Sequence, residues 1–170
     1  MFHKGEYIIY GSNGVCEVRD YVNPDEMDGK RMYYVLMPLS SKGSTIYSPV
    51  DNKKVFMRKI ISREEANSLL AHIPKYEDME IKEVRSQEQQ YKELLHSYSC
   101  TDCLRFLKAI YKRKKKREAA GRRMTAVDEK YFLIARDSLL NELALALDME
   151  TGEVDKILAE RMKEAEKQEA

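Results

Sequence analysis

The sequence predicts an α+β protein: a small N-terminal β-barrel over residues 1–60, followed by an all-helical domain over residues 61–167. Three observations predict it. Short β-branched and aromatic runs, separated by turn residues, fill the first sixty positions. Apolar residues then recur at helical spacing, with capping residues at the starts of the runs. Between these helical runs, Leu104–Arg123 passes from an amphipathic helix into nearly pure positive charge.

The strand candidates are Tyr7–Tyr10, Val15–Val18, Tyr33–Leu36, Thr45–Tyr47 and Lys54–Met57. Gly11–Gly14, Asn23–Gly29 and Ser40–Ser44 punctuate them. Strands this short cannot bury both faces of a flat sheet, and closing the sheet would remove its exposed edges, so a strongly bent barrel is expected. Thr45-Ile46-Tyr47-Ser48 is expected at an edge. Pro49 should end it, because proline cannot donate to a ladder.

Ser62-Arg63-Glu64-Glu65 has the spacing of a capping box and should start a short helix that Pro74 ends. Lys75–Val84 reads as a linker. A helix over about 86–97 follows, with Tyr91, Leu94 and Leu95 as its apolar side. Ser99 or Thr101 can cap the basic helix, and Gly121 should break it. The next helix opens at Thr125–Asp128 and runs to about Leu147. It is apolar nearly all round and should be the most buried. Val154, Ile157, Leu158 and Met162 mark a last helix of mixed charge, whose tail KEAEKQEA is expected to fray.

In the basic stretch, Leu104, Phe106, Leu107, Ile110 and Tyr111 share one arc of roughly 160°. Arg105, Lys108, Lys112, Lys115 and Lys116 share the opposite arc, which predicts a basic ridge in water. The whole chain carries a net charge of only +1, yet these twenty residues hold ten Lys/Arg against the single acid Glu118. A positive field concentrated in this way suits a polyanion, most often a phosphate backbone. The competing explanation is a solvated helix face that only keeps the chain soluble.

With 35% charged and 43% apolar residues, the composition is that of a soluble globular protein. No apolar run approaches twenty residues, so no membrane span is expected. The N-terminus lacks the apolar core of a signal peptide, and three cysteines make no disulfide framework; a cytoplasmic location follows. No phosphate-binding glycine loop, nucleophile–base set or paired carboxylates stand out, so neither catalysis nor a cofactor is expected.

The order of these parts resembles the CarD (CdnL-type) family of bacterial transcription regulators. Gly5-Glu6-Tyr7-Ile8-Ile9-Tyr10 with Gly14-Val15 resembles the family's opening motif. Tyr34-Val35-Leu36 with Thr45-Ile46-Tyr47-Ser48-Pro49 resembles its strand pair. Ala135-Arg136 with Leu140, Glu142, Leu143, Ala144, Leu145 and Ala146 resembles its A-R…L-x-E-L-A-L-A helix. The N-terminal half is similar to the Tudor-like polymerase-binding domain shared with the transcription-repair coupling factor.

The resemblance implies a non-enzymatic bridge between the RNA polymerase β subunit and promoter DNA near the −10 region, acting on open-complex stability. The polymerase-facing edge maps onto Thr45, Ile46, Tyr47 and Ser48, and the DNA face onto Lys92, Lys108, Lys112, Arg113 and Lys130. Lys116 joins that face from the basic ridge. Many relatives carry a wedge Trp where Gln87 stands here, and this chain has no Trp. Relatives also often have a basic residue at the place of Tyr47 and a His at the place of Asn13. A monomer without membrane association is expected. The barrel and basic helix alone also fit an RNA- or ribosome-associated protein.

Cys100 and Cys103 have the spacing of a metal or redox pair, but Cys103 falls within the apolar arc of its helix and reads as a core residue. A thiol of lowered pKa at a helix N-terminus is the alternative. Arg136 lies between Leu139 and Leu143 on its wheel and calls for a carboxylate partner. The tyrosines of the first half read as core or docking residues rather than as a stacking surface for single strands.

Overall fold

A computed structural model describes residues 1–23 and 31–169. The chain divides into two compact units, Met1–Ile60 and Ile61–Ala170. The expected turn at Asn23–Gly29 lies outside the described residues except for Asn23.

The first unit is an antiparallel five-stranded sheet. Its strands are β1 (Tyr7–Tyr10), β2 (Val15–Val22), β3 (Tyr33–Pro38), β4 (Ile46–Pro49) and β5 (Met57–Lys59), in the order β4-β3-β2-β1-β5. Gly14, at φ +68°, makes the tight return from β1 to β2. Alternation places Ile8 and Tyr10, Cys16 and Val18, and Tyr34 and Leu36 in one cluster. Phe2, Tyr21, Ile46, Val50, Val55 and Met57 pack around it. The β2–β3 register shifts between Val18 and Asp20, which bends the sheet.

The sheet does not close, which corrects the expected barrel. Among the described residues β4 pairs only with β3, and β5 only with β1. Shortness and chemistry manage the edges instead: β4 has four residues and ends on Pro49, while β5 has three and carries Arg58 and Lys59. The fifth strand also begins later than expected, at Met57.

The second unit holds five α-helices among the described residues: α1 (Arg63–Ala71), α2 (Val84–Ser97), α3 (Cys100–Ala119), α4 (Ala126–Leu147) and α5 (Thr151–Glu169). Ser62 caps α1 in a complete capping box with Glu65. Ser99 caps α3 through the Asp102 N–H, and Thr125 caps α4 through the Asp128 N–H. Pro74 sits in a 3-10 turn after α1, and α2 begins two residues earlier than expected. Gly121, at φ +72°, follows the end of α3.

The core of this unit draws Leu69 and Ile73, Tyr91 and Leu94, Leu104, Leu107 and Ile110, Ala135 and Leu143, and Val154 and Leu158 into one cluster. Tyr91 meets Phe106 and Tyr131 edge-on, with centroids 4.8 and 5.6 Å apart.

Two expectations change here. The most apolar helix, α4, is not buried all round, since Leu133 and Ile134 remain exposed. Nor does the tail fray. α5 runs to Glu169, and Met162 and Ala165 bury one side of its last turns.

Candidate functional site

Each unit presents one candidate surface. In the first unit it is the free edge of β4. The register Val35↔Tyr47 and Tyr34↔Ser48 alternates the side chains, so Ser48 points inward and Tyr47 outward. Ser48 is fully buried and its Oγ accepts from Asn52 Nδ2 at 3.1 Å. Tyr47 is 60% exposed. Ile46 packs against the sheet core, and Thr45 precedes the strand on the surface. The structure thus brings Ile46, Tyr47 and Ser48 into one edge strand and leaves Thr45 at its mouth. Its outer backbone groups have no strand neighbour among the described residues, as strand addition requires.

In the second unit the basic helix presents only part of the expected ridge, at Lys115 and Lys116. Lys108 is 2% exposed; its Nζ donates to the Tyr76 carbonyl at 2.6 Å and lies 3.5 Å from carboxylate oxygens of Asp78 and Glu169. Lys112 pairs with Asp78 and Glu169. Partial burial pulls its pKa down, but these two carboxylates outweigh that and hold it above the ordinary lysine value. Lys115 donates to Glu166 at 2.6 Å and lies over the Tyr111 ring, 4.9 Å from the centroid. Arg113 pairs with Asp128 at 2.9 Å. Lys108, placed by its wheel on the water-facing arc, is instead a buried anchor. The wheel reports one helix's own periodicity, whereas 73–83 and α5 cover this side of α3.

Gln87 is also turned inward. It stands four and seven residues before Tyr91 and Leu94, on the buried face of α2. It is 5% exposed, and its Nε2 donates to the Lys82 carbonyl at 3.2 Å. This corrects the expectation that it faces a groove.

Lys92 and Lys130 do come together, around Glu88, at 3.7 and 3.9 Å. Tyr131 donates to the same carboxylate at 2.9 Å and, with the lysines, holds its pKa below the usual carboxylate value.

The least compensated charge lies where α3 ends. Lys116, Arg122 and Arg123 are exposed and have no carboxylate partner among the described residues. Arg117 fixes the turn by donating from Nε to the Arg123 carbonyl at 2.7 Å. Lys114 makes only a 3.9 Å contact, with Glu118 one turn on. Arg122 and Arg123 lie in the charged stretch, but the helical wheel does not place them on the basic ridge. Their signal was Gly121, which puts them on a turn beyond the reach of helical i,i+4 acids.

Cys100 and Cys103 both find acceptors inside the helical unit. Cys103 donates to the Ala135 carbonyl at 3.3 Å, and Cys100 to Glu142 at 3.2 Å. Burial first, then Glu142 and Asp102, push the Cys103 thiol up to about 12, the opposite of an activated thiol. Arg136 finds its carboxylate in Asp155, with two contacts at 3.2 and 2.5 Å. No group of side chains among the described residues is arranged to hold a metal ion, and no described helix is long and apolar enough to cross a membrane.

The chain thus joins a bent antiparallel sheet, with Tyr47 outward on one edge strand, to a helical unit with an exposed basic turn. Residues 2–61 match the family of the CarD-like/TRCF RID domain, which places the first unit among CarD-like RNA polymerase-interacting domains. For this unit the match points to RNA polymerase interaction and a role in transcription. No curated protein matches the chain.

Proposed function

We propose that this protein is a non-enzymatic transcription regulator that docks on the RNA polymerase β subunit and contacts promoter DNA near the −10 region, altering open-complex stability. The observation that carries the proposal is the free β4 edge, with Tyr47 outward, in a CarD-like polymerase-interacting domain. An extended segment of the partner adds to that edge by backbone hydrogen bonds, and Tyr47 anchors it as an amphipathic side chain that loses little entropy. Lys116, Arg122 and Arg123, with Lys92 and Lys130, supply phosphate contacts that position the helical unit without reading bases.

The test is open-complex decay after competitor challenge. Wild-type protein should change the lifetime. Tyr47→Ala should lose that effect at limiting protein and regain it at excess, as expected for weakened docking. Arg122→Gln with Arg123→Gln should lose it even when polymerase is saturated. Unchanged lifetimes with wild-type protein, together with tight binding to structured RNA, would replace this proposal with an RNA-associated role.

A further inference from the structure

The carboxylates on the basic helix come from one stripe of α5. Met162 and Ala165 are buried, and Glu166 and Glu169 lie four and seven residues after Met162 on the same side. Packing of the apolar pair holds the acidic pair against α3. Glu166 then meets Lys115, and Glu169 meets Lys108 and Lys112, the latter shared with Asp78, whose single carboxylate leaves Lys112 able to take a phosphate once Glu169 is gone. Lys112 and Lys116 stand one turn apart, with Lys115 beside them. The pairing therefore neutralises two of three neighbouring cations and leaves Lys116 free.

We propose that Glu166 and Glu169 form an acidic latch that occupies Lys112 and Lys115 and competes with nucleic-acid phosphates for them. The inference rests on the nucleic-acid part of the proposed function. Lys108 is not part of the exchange, because it is buried and bonded to the Tyr76 carbonyl. Lys112 and Lys115 are different: they keep about 29% and 50% of their side-chain surface in water. Such partly solvated pairs are individually weak and exchangeable. A duplex presents a dense row of phosphates and gains counterion entropy for each one neutralised, so it can displace carboxylates that an isolated phosphate cannot. The latch sets a threshold: the exposed turn makes first contact, and the helix contributes only to a polyanion dense enough to open it.

The experiment measures binding of the full chain to a fluorescent duplex across a salt series. Glu166→Gln with Glu169→Gln keeps side-chain size and helix-forming character while removing both charges. Glu64→Gln with Glu160→Gln makes the same change in net charge at exposed positions that pair with no cation among the described residues. The latch variant should bind roughly 3- to 10-fold more tightly than the control, with a salt slope steeper by about 1–2, for one to two added phosphate contacts. Adding Lys112→Gln and Lys115→Gln should abolish the gain. Circular dichroism checks the helices, and Glu169→Gln alone serves if the double variant melts. Equal gains in latch and control variants would overturn the latch while leaving nucleic-acid binding intact. Absence of duplex and RNA binding by every variant would overturn the nucleic-acid reading, and the latch with it.

Discussion

Arg113 Nε lies 2.9 Å from Oδ2 of Asp128, and the other oxygen of that carboxylate accepts from the Tyr91 hydroxyl at 2.7 Å. Three helices, α2, α3 and α4, are thereby joined through one fully buried carboxylate. The arginine contact is an ion pair set off the N–H axis, not a hydrogen bond. Burial, then Asp128, pushes the Tyr91 hydroxyl well above the ordinary tyrosine range, so it stays a donor throughout the physiological range. Arg113 is thus committed to the fold and is a poor candidate for a phosphate contact.

Asp128→Asn should therefore destabilise the helical unit. Removing one partner of a buried pair strands the other charge, at about 3–5 kcal/mol when both are fully buried. Arg113 keeps 29% of its side chain in water, so the loss should be nearer 2–3 kcal/mol. Urea unfolding followed by helical circular dichroism measures it. A change below about 0.5 kcal/mol, the range of ordinary surface substitutions, would show that the carboxylate is not a tie.

The Arg113–Asp128 pair joins two helices and is not legible in the sequence, which places Arg113 on the DNA face. Local signals are legible: the Ser62–Glu65 capping box, the cap at Thr125, the Gly121 stop and the edge strand ending at Pro49 depend on residues within a few positions of each other, and Ser99 is one of the two caps that the sequence offers for α3. The place of Arg136 between Leu139 and Leu143 calls for a carboxylate, and Asp155, 19 residues on, supplies it. The partners of the basic helix were not legible. Asp78 lies 34 residues from Lys112, and Glu166 lies 51 from Lys115, so no helical period relates them. Asp78 lies in a stretch that reads as a linker, and Glu169 in a tail that reads as fraying. Barrel closure is not legible for a related reason: it depends on two distant short strands meeting, and β4 and β5 stay at opposite edges of the sheet.

Gln87→Trp tests where position 87 faces. A groove-facing position would gain a wedge, and the open complex would live longer. In this structure the indole must instead enter a filled site beside Tyr91 and leave the Lys82 carbonyl without its amide donor. Overpacking of that kind costs roughly 1–3 kcal/mol. The expected result is a lower melting temperature and no lengthening of open-complex lifetime at equal polymerase occupancy. A stable variant with a longer-lived complex would place position 87 at the melting junction.

Glu6 gives the first unit a defined acid response. Its Oε1 accepts from Lys59 Nζ at 2.7 Å, and its Oε2 accepts from the His3 N–H at 2.8 Å. Lys59 first, and then the His3 amide, hold this carboxyl at about 2, well below the ordinary 4.5. A depressed pKa favours the folded state most above the unfolded value, and the benefit disappears as pH falls from 4.5 toward 2. The contact ties the residue before β1 to the last residue of β5, so its loss should loosen that sheet edge before the opposite one. Carbon-detected NMR titration should give a Glu6 midpoint near 2. The β5 amides should exchange faster as the pH is lowered through that range, after correction for intrinsic exchange. Glu6→Gln should start with the faster corrected exchange at neutral pH and lose most of the acid dependence. A Glu6 midpoint near 4.5, or β5 protection that does not respond to Glu6→Gln, would mean that the carboxylate does not secure this edge.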